Sequence, residues 1–497
     1  DGFGLLRKTG GMCGFTNPKE SEYDLFHTGH AGTSVSLALG LAIGMQHVAD
    51  PGRAVAVIGD ASLGAGVAFE AINHAGALGH PLLVVLNDNE WSISKTVGAM
   101  ARYLSRIRST RIVQRAQQEI QGLIQAIPLI GGTVDRTLDQ VGEVLSHYIV
   151  PGHVFQELGV TYVGPMNGHD VNGIVKTLER VRELEGVVLL HLLTEKGKGH
   201  PAAPSHPEKV HGVAGAPKVV EPEAAEDSAP VGPSFTKAFS DSLIRLAERD
   251  VRVHGITAAM PSGTGLDKFA ERFPSRFHDT GITEQHAIAM GAGMAKAGLR
   301  PVVAIYSTFL QRGYDQIFQE VALQGLPVLF CLDRAGLVGQ DGPTHNGVFD
   351  LSFLRPLPGM VLMAPRDASD LERMMQMSLR LETPCAVRFP RDATPFDEVP
   401  PAAERRPMEP GKAEVLIDPD DGGVVIWAYG ALVNEARRAV IAMEADGVRV
   451  GLVDARFAKP LDEDLLSTHL SSCRALITVE EHQRQGGFGS AVLEAAN

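Results

Sequence analysis

The chain has 497 residues, 44% of them hydrophobic and 21% charged, and a net charge of −14. At about 100–200 residues per domain, this length predicts about three domains of ordinary globular composition. The acidic balance argues against nucleic acid as a partner, and no apolar run reaches the ~18–20 residues of a membrane span. Cys13, Cys331, Cys385 and Cys473 are scattered with no CxxC pair. That excludes a disulfide framework or zinc site as the organising device and fits a reducing cytoplasm. The chain opens on Asp1 without a charged-then-apolar leader and closes at Asn497 inside a predicted helix begun near Gly489, so it reads as a fragment.

Short apolar runs alternate with helical patterns along the first 200 residues. A strand is predicted at 54–58. A helix follows over 64–78, with Phe69, Ile72 and Ala75–Ala77 on one side. Further strands are predicted at 81–86 and 187–193. Continuous apolar runs of this length, separated by helices, predict a buried parallel sheet. The Arg- and Gln-rich stretch 100–150 reads either as a helical insertion or as a flap. Residues 201–233 are rich in Pro, Ala and Glu without an apolar period, which predicts a linker. A second α/β series covers 234–394, with strands at 302–306 and 327–332 and a helix over 310–324. A second Pro-rich linker, 395–411, leads to a third series over 412–497 with strands at 424–429, 448–453 and 475–479. The expected fold class is therefore α/β: three domains with mainly parallel central sheets.

Two constellations carry chemistry. Asp60 follows the first strand in VIGDASLGAG, and Asn89 follows the next in VVLNDNEW. A βαβ crossover puts both at the carboxyl edge of one sheet, where open α/β sheets bind ligands. A carboxylate, an amide oxygen and the Trp91 carbonyl make a hard oxygen half-shell suited to Mg²⁺ with phosphate oxygens. Gly59, Ala61, Ser62 and Gly64 would let backbone N–H groups approach a phosphate. The plainer alternative is two polar turns. A dinucleotide site is weaker, since no GxGxxG follows a strand here.

The second constellation begins with Glu284, at a helix start in DTGITEQHAIAM. Tyr306 and Phe309 lie at a strand end, with Arg312 opening the next helix. The polar loop DRAGLVGQDGPTHNG holds Arg334, Asp341 and His345, and Arg391 follows an apolar strand. Singly, Glu284 reads as a first-turn acid favoured by the helix dipole, and Phe309 as core. Their shared placement at strand ends raises the functional reading.

At these residues the chain resembles the 1-deoxy-D-xylulose-5-phosphate synthase family, thiamine-diphosphate enzymes with a transketolase-like fold. The matching stretches run in order: SEYDLFHTGHAGTS (21–34), AVIGDASLGAGVAFEAINHAG (56–76), LNDNEWSIS (86–94), YVGPMNGHD (162–170), LLTEKGKG (192–199), GITEQHA (281–287), PVVAIYSTFLQRGYDQ (301–316), DRAGLVGQDGPTHNGVFDLSFLR (333–355) and RFAKPLDE (456–463). The family carries a further segment before Asp1 and more chain at the end of the third domain.

The resemblance implies that pyruvate is decarboxylated and its two-carbon unit joined to D-glyceraldehyde 3-phosphate, the first step of a route to isoprenoid precursors and thiamine. It implies thiamine diphosphate and Mg²⁺ as cofactors, and a cytoplasmic homodimer with its site between the first two domains. Asp60, Asn89 and the Trp91 carbonyl would hold the metal. Gly29, His30, Ala31, Ala61, Ser62, Asn89, Lys196 and His200 match cofactor-touching segments. Glu284 matches the acid facing N1′ of the aminopyrimidine, and Phe309 the aromatic that stacks on it. Tyr306, Arg312, Arg334, Asp341, His345 and Arg391 match the substrate pocket, with the arginines Arg334 and Arg391 as phosphate anchors. Glu284, His345 and His30 would be catalytic, the two histidines as proton carriers. A relative with another acceptor, as in transketolase, and an inactive cofactor-binding relative are the competing readings. The chain departs from the family pattern at Ala31, Gly32, Ala61, Trp91, Lys95-Thr96 and His200. A Cβ at Ala61 would weaken diphosphate binding if the backbone there needs φ > 0.

Overall fold

The computed structural model describes residues 2–8, 10–48, 52–93, 95–108, 152–212, 231–339, 341–395, 400–401, 404–405 and 407–497. Of the 100–150 stretch, a helix Gly98–Ile107 is described; residues 109–151 lie outside the described residues, as do 213–230 of the first predicted linker. The chain divides into two compact units: 30–213 with 281–283, and 1–29 with 214–280 and 284–497.

In the first unit, strands β1 (Ala54–Gly59), β2 (Leu82–Asp88), β3 (Thr161–Asn167) and β4 (Val187–Leu193) form an all-parallel sheet in the order β1-β2-β4-β3. Val187, Val188, Leu189 and Leu190 of β4 are buried, as a doubly covered parallel strand requires. β1 instead alternates, leaving Val55 and Val57 exposed. The expected helix runs Gly66–Leu78 and buries Ala68, Ala71, Ile72 and Ala75. Phe69 and Ala77 point outward, so the expected face was rotated. The buried stripe follows the i, i+3, i+4, i+7 spacing of Ala68, Ala71, Ile72 and Ala75, and Phe69 lies off it.

The second unit holds a seven-stranded sheet in the order β16-β10-β11-β9-β8-β6-β7. Its strands are β6 (Val253–Thr257), β7 (Phe277–Asp279), β8 (Arg300–Tyr306), β9 (Leu329–Asp333), β10 (Val361–Met363), β11 (Cys385–Arg388) and β16 (Phe457–Lys459), and only β16 runs antiparallel. Phe235, Phe239, Leu243, Phe269, Val302, Leu329, Met374, Val387 and Phe389 are among the side chains of its core. Each such fully buried side chain contributes about 1.5–3 kcal/mol. A further sheet of β13 (Glu414–Ile417), β14 (Val424–Ala428), β15 (Val450–Asp454) and β17 (Ala475–Val479) has the order β13-β15-β14-β17.

The helix expected over 310–324 is not one α-helix. It breaks into Ser307–Leu310, a 3₁₀ turn Gln311–Gly313, Tyr314–Gln316 and a π-helical stretch Ile317–Ala322. Gly313 is the reason for the close fit here: a Cβ there would lie 2.1 Å from Ile288 Cδ1 of the helix Glu284–Lys296. Such irregular turns are frequent beside functional sites.

Candidate active site

In the second unit, the carboxyl ends of four parallel strands supply the predicted residues. β7 leads towards Glu284, β8 ends at Tyr306, β9 ends one residue before Arg334, and β11 ends three residues before Arg391. The pairings Tyr306↔Asp333 and Leu332↔Arg388 keep three of these ends level. This is the edge at which parallel α/β sheets bind ligands.

Glu284 is the first residue of a helix that buries Ala287, Ile288, Gly291, Ala292 and Ala295. The 3.6-residue period places Glu284 on that same inward face, so a residue type that normally seeks water is 3% exposed. Burial pushes its carboxyl up, and the Arg312 guanidinium opposes this. Arg312 Nη1 lies 3.5 Å from Oε2, too long for a charge-assisted hydrogen bond, and among the described residues Oε2 accepts none. A buried carboxylate oxygen with no donor is costly unless a ligand supplies one.

An aromatic stack lies at the end of β8. Phe309 is parallel to Tyr306 at 5.6 Å between ring centroids and meets His345 edge-on at 5.3 Å. Phe15 stacks on the His345 ring at 4.7 Å. His345 Nδ1 is 3.0 Å from Thr344 Oγ1. Gly29 touches this corner, since a Cβ there would fall 2.2 Å from Thr344 Oγ1. Phe309 is half-buried, so it is not simply core.

Arg334 has φ +60°, a left-handed backbone costing about 1–2 kcal/mol in a non-glycine residue. Its guanidinium carbon lies 4.0 Å over the Tyr306 ring. Nη1 donates to Asp333 Oδ1 at 2.9 Å and to the Gly263 carbonyl, while the buried Nε donates to nothing. Burial pushes the Tyr306 phenol up to about 12. Its hydroxyl occupies the space a side chain at 263 would need, 1.8 Å from a Cβ there. Asp341 accepts from Arg7 Nη1 and Arg391 Nη1, each at 3.1 Å. Arg391 is therefore charge-paired and exposed, whereas Arg334 is buried.

The first unit holds the other predicted residues. Asp60 opens a short helix directly after β1, and the register Gly59↔Asn87 brings Asn89 beside it. Asp60 Oδ1 accepts from Asn89 N at 3.4 Å and Oδ2 from Thr96 Oγ1 at 2.7 Å; Asn89 Oδ1 accepts from Trp91 N at 2.9 Å. Burial pushes the Asp60 carboxyl up, and among the described residues no ion pair offsets its charge. Ala61 and Ser62 lie in that right-handed helix, so the Cβ of Ala61 meets no backbone strain. Gly32 has φ +96°, which a side chain would resist. His30 is half-buried and Ala31 exposed, just before the helix Ser34–Met45. Lys196, three residues after β4, donates to the Ser92 carbonyl, while His200 is exposed and accepts from Ala202 N. Among the described residues, no group of three or more His, Cys, Asp or Glu side chains is arranged for a metal.

Sequence reasoning gave no role to Phe15, Gly263 and Asp333, which the structure brings against His345, Tyr306 and Arg334. Asp333 lay inside a matched stretch, and the other two carried no local signal.

Residues 1–194 match a family model described as 1-deoxy-D-xylulose-5-phosphate synthase. Residues 232–396 match the transketolase pyrimidine binding domain, and 411–497 the transketolase C-terminal domain. The 1-deoxy-D-xylulose-5-phosphate synthase of Heliobacterium modesticaldum is 46% identical over 496 residues, covering 99% of this chain and 75% of that protein. The chain belongs to the 1-deoxy-D-xylulose-5-phosphate synthase family. The synthase of Desulforudis audaxviator is also 46% identical, over 99% of this chain and 76% of its own length. Among solved structures, transketolase from Leishmania mexicana is 18% identical, covering 92% of this chain and 74% of its own, with a TM-score of 0.46. A synthase of this family is an α/β protein with transketolase-type domains, and the parallel sheets accord with that class.

Proposed function

We propose that this chain joins a two-carbon unit from pyruvate to D-glyceraldehyde 3-phosphate, giving 1-deoxy-D-xylulose 5-phosphate and carbon dioxide, with thiamine diphosphate as cofactor. Family membership supports the reaction, and the buried, donorless Oε2 of Glu284 is the observation that carries the site. Such an oxygen fits a protonated ring nitrogen, and the half-buried Phe309 nearby on the same sheet edge offers a ring face. Thiamine diphosphate, when bound, supplies the carbon nucleophile and the electron sink for decarboxylation. Glu284 holds the proton at N1′ of the aminopyrimidine. Arg334 and Arg391 receive the acceptor's phosphate, and binding energy at that remote group orients the aldehyde carbon. His345 and His30 carry protons near the carbonyl oxygens. Tyr306, Arg312 and Asp341 line the substrate side; Gly29, Ala31, Ala61, Ser62, Lys196 and His200 the cofactor side.

Mg²⁺ at Asp60, Asn89 and the Trp91 carbonyl is part of the same proposal. The support is chemical: a buried carboxylate with no ion pair among the described residues, beside an amide oxygen, is a hard-oxygen set short of positive charge. A homodimer is supported by the exposed apolar side chains of Tyr314, Phe318 and Leu323. A cytoplasmic location accords with four free cysteines. The domain boundaries 1–200, 234–394 and 412–497, with linkers 201–233 and 395–411, lie close to the ranges that the family models match.

Incubation with pyruvate, glyceraldehyde 3-phosphate, thiamine diphosphate and Mg²⁺ should yield the five-carbon ketose phosphate and carbon dioxide in equal amounts. A product built from a different acceptor, with none from this one, rejects the reading. Asp60→Asn should weaken Mg²⁺-dependent cofactor binding by about 10–100-fold in calorimetric titration. An unchanged affinity removes Asp60 from the metal set.

A further inference from the structure

Asp350 lies three residues after the 333–347 loop, as the first residue of the helix Asp350–Leu354, and its side chain is fully buried. Oδ2 accepts from Arg388 Nε at 2.9 Å and from Ser307 Oγ at 3.0 Å. Oδ1 accepts from Leu351 N at 2.8 Å and lies 3.3 Å from His482 Nε2. Three of these partners come from separate parts of the chain. Ser307 sits between Tyr306 and Phe309. Arg388 ends β11, three residues before Arg391. His482 belongs to the C-terminal segment that follows β17.

The connection continues into the loop. Arg388 Nη2 donates to the Gly347 carbonyl at 3.3 Å and to the Glu481 carbonyl at 3.1 Å. Gly347 and Gly336 exchange two backbone hydrogen bonds of 2.8 Å, which close the loop at its base. A Cβ at Gly347 would lie 2.4 Å from the Arg334 carbonyl and 2.5 Å from Ser307 Oγ. The loop base therefore presses at once on the strand end and on the backbone of Arg334. Glu481 Oε1 accepts from Leu337 N at 2.8 Å, and Gln483 Nε2 donates to Ser352 Oγ at 3.1 Å. The C-terminal segment is thus tied to the loop at Leu337 and to the helix Asp350–Leu354 at Ser352.

We propose that Asp350, with Arg388 and His482, is the positioning hub of the substrate loop, fixing the segment of Tyr306 and Phe309 against the loop of Arg334, Asp341 and His345. None of the three hub residues needs to touch substrate. The hub acts because a displacement of about 1 Å in a positioned group can cost about 100-fold in rate. The inference rests on the reading of Arg334 and His345 as substrate residues.

The test uses the full chain as holoenzyme and compares Asp350→Asn, the double variant Asp350→Leu/Arg388→Met, and His482→Gln. Asp350→Asn leaves Arg388 buried without the Asp350 counter-charge, while the double variant removes both charges together, losing with them the Arg388 Nη2 bonds to the Gly347 and Glu481 carbonyls. Each is measured for melting temperature, thiamine diphosphate affinity, KM for glyceraldehyde 3-phosphate, and hydrogen exchange of the 334–347 amides without substrate. Asp350→Asn is expected to raise KM about 10–100-fold and to speed exchange across the loop, with cofactor affinity within about twofold. The double variant is expected to recover part of the melting temperature lost in Asp350→Asn but to keep the raised KM and fast exchange. His482→Gln should shift both in the same direction by a smaller factor. Recovery of KM together with melting temperature in the double variant overturns the proposal, as does an unchanged KM in a folded Asp350→Asn. If Asp350→Asn fails to fold, the double variant decides; if both fail, an unchanged KM and exchange in His482→Gln overturn it. Arg334→Ala runs in parallel: an unaltered KM there sinks the substrate reading itself, whereas a raised KM there with unaltered hub variants sinks only the hub.

Discussion

Glu284 and Asp350 are both buried carboxylates, and each is the first residue of a helix in the same compact unit. Their surroundings differ in what reaches the oxygens. Asp350 receives Arg388, Ser307 and Leu351, with His482 alongside; Glu284 Oε2 receives no hydrogen bond and has only Arg312 at 3.5 Å. Burial raises both carboxyls. At Asp350 the charge of Arg388 and the contact with His482 overcome it and hold the group at about 2, while at Glu284 burial wins. Two similarly buried acids therefore have opposite shifts, and the strength of the charge and hydrogen bonding that neighbours bring to the oxygens decides the sign. The satisfied one is a finished piece of structure. The unsatisfied one is the kind of group that a ligand's donor would stabilise.

The sharpest way to break this contrast is to remove each acid. Glu284→Ala should lower turnover by about 10²–10⁴-fold while circular dichroism stays unchanged, since among the described residues Oε2 holds no hydrogen bond and its contact with Arg312 is long, at 3.5 Å. Full turnover in that variant would mean the unsatisfied oxygen is idle. Asp350→Asn should cost about 3–5 kcal/mol of stability in denaturant titration, because it strands a buried guanidinium. A loss below about 1 kcal/mol would place Asp350 among ordinary surface pairs.

Acid unfolding separates the two shifts further. The depressed group at Asp350 gives stability that is present above the usual carboxylate range and lost as pH falls through about 2. The wild type should therefore lose stability more steeply below about pH 4 than Asp350→Asn does. Glu284 runs the other way. Its raised carboxyl gives stability that is complete below the usual carboxylate range and lost as pH rises through its elevated value. Glu284→Gln, measured without cofactor, should remove that decline and leave the melting temperature flatter above about pH 4. An identical slope in both proteins would show that Arg312 already compensates the charge.

Much of the framework was legible from apolar runs. The strands at 54–58, 187–193, 302–306, 424–429 and 475–479 fall within about two residues of the observed ones, a margin set by fraying at element ends. β3 escaped because Thr161–Asn167 is largely half-buried or exposed and carries no continuous apolar run. The helix over 310–324 was read as continuous because its composition is helical, and the close approach at Gly313 that accompanies its irregular turns is a contact with a distant segment. Phe69 was assigned to the wrong face because its hydrophobicity was weighed above the helical stripe of Ala68, Ala71, Ile72 and Ala75. Among candidate site residues, the shared sheet edge of Tyr306, Phe309, Arg334 and His345 was legible from motif and strand-end position. Phe15 was not, since nothing near residue 15 announces a ring stacked on His345.

By itself the chain's order of residues determined the α/β class, the family, and which polar groups stand at strand ends, because periodicity and motif are local and are written along the backbone. Only the tertiary structure decided the protonation character of those groups. Whether Glu284 is starved of donors and Asp350 surrounded by them depends on Arg312, Arg388, Ser307 and His482, which lie 28 to 132 positions away in sequence. Desolvation and hydrogen bonding act through space over a few ångströms, and chain order does not encode that distance.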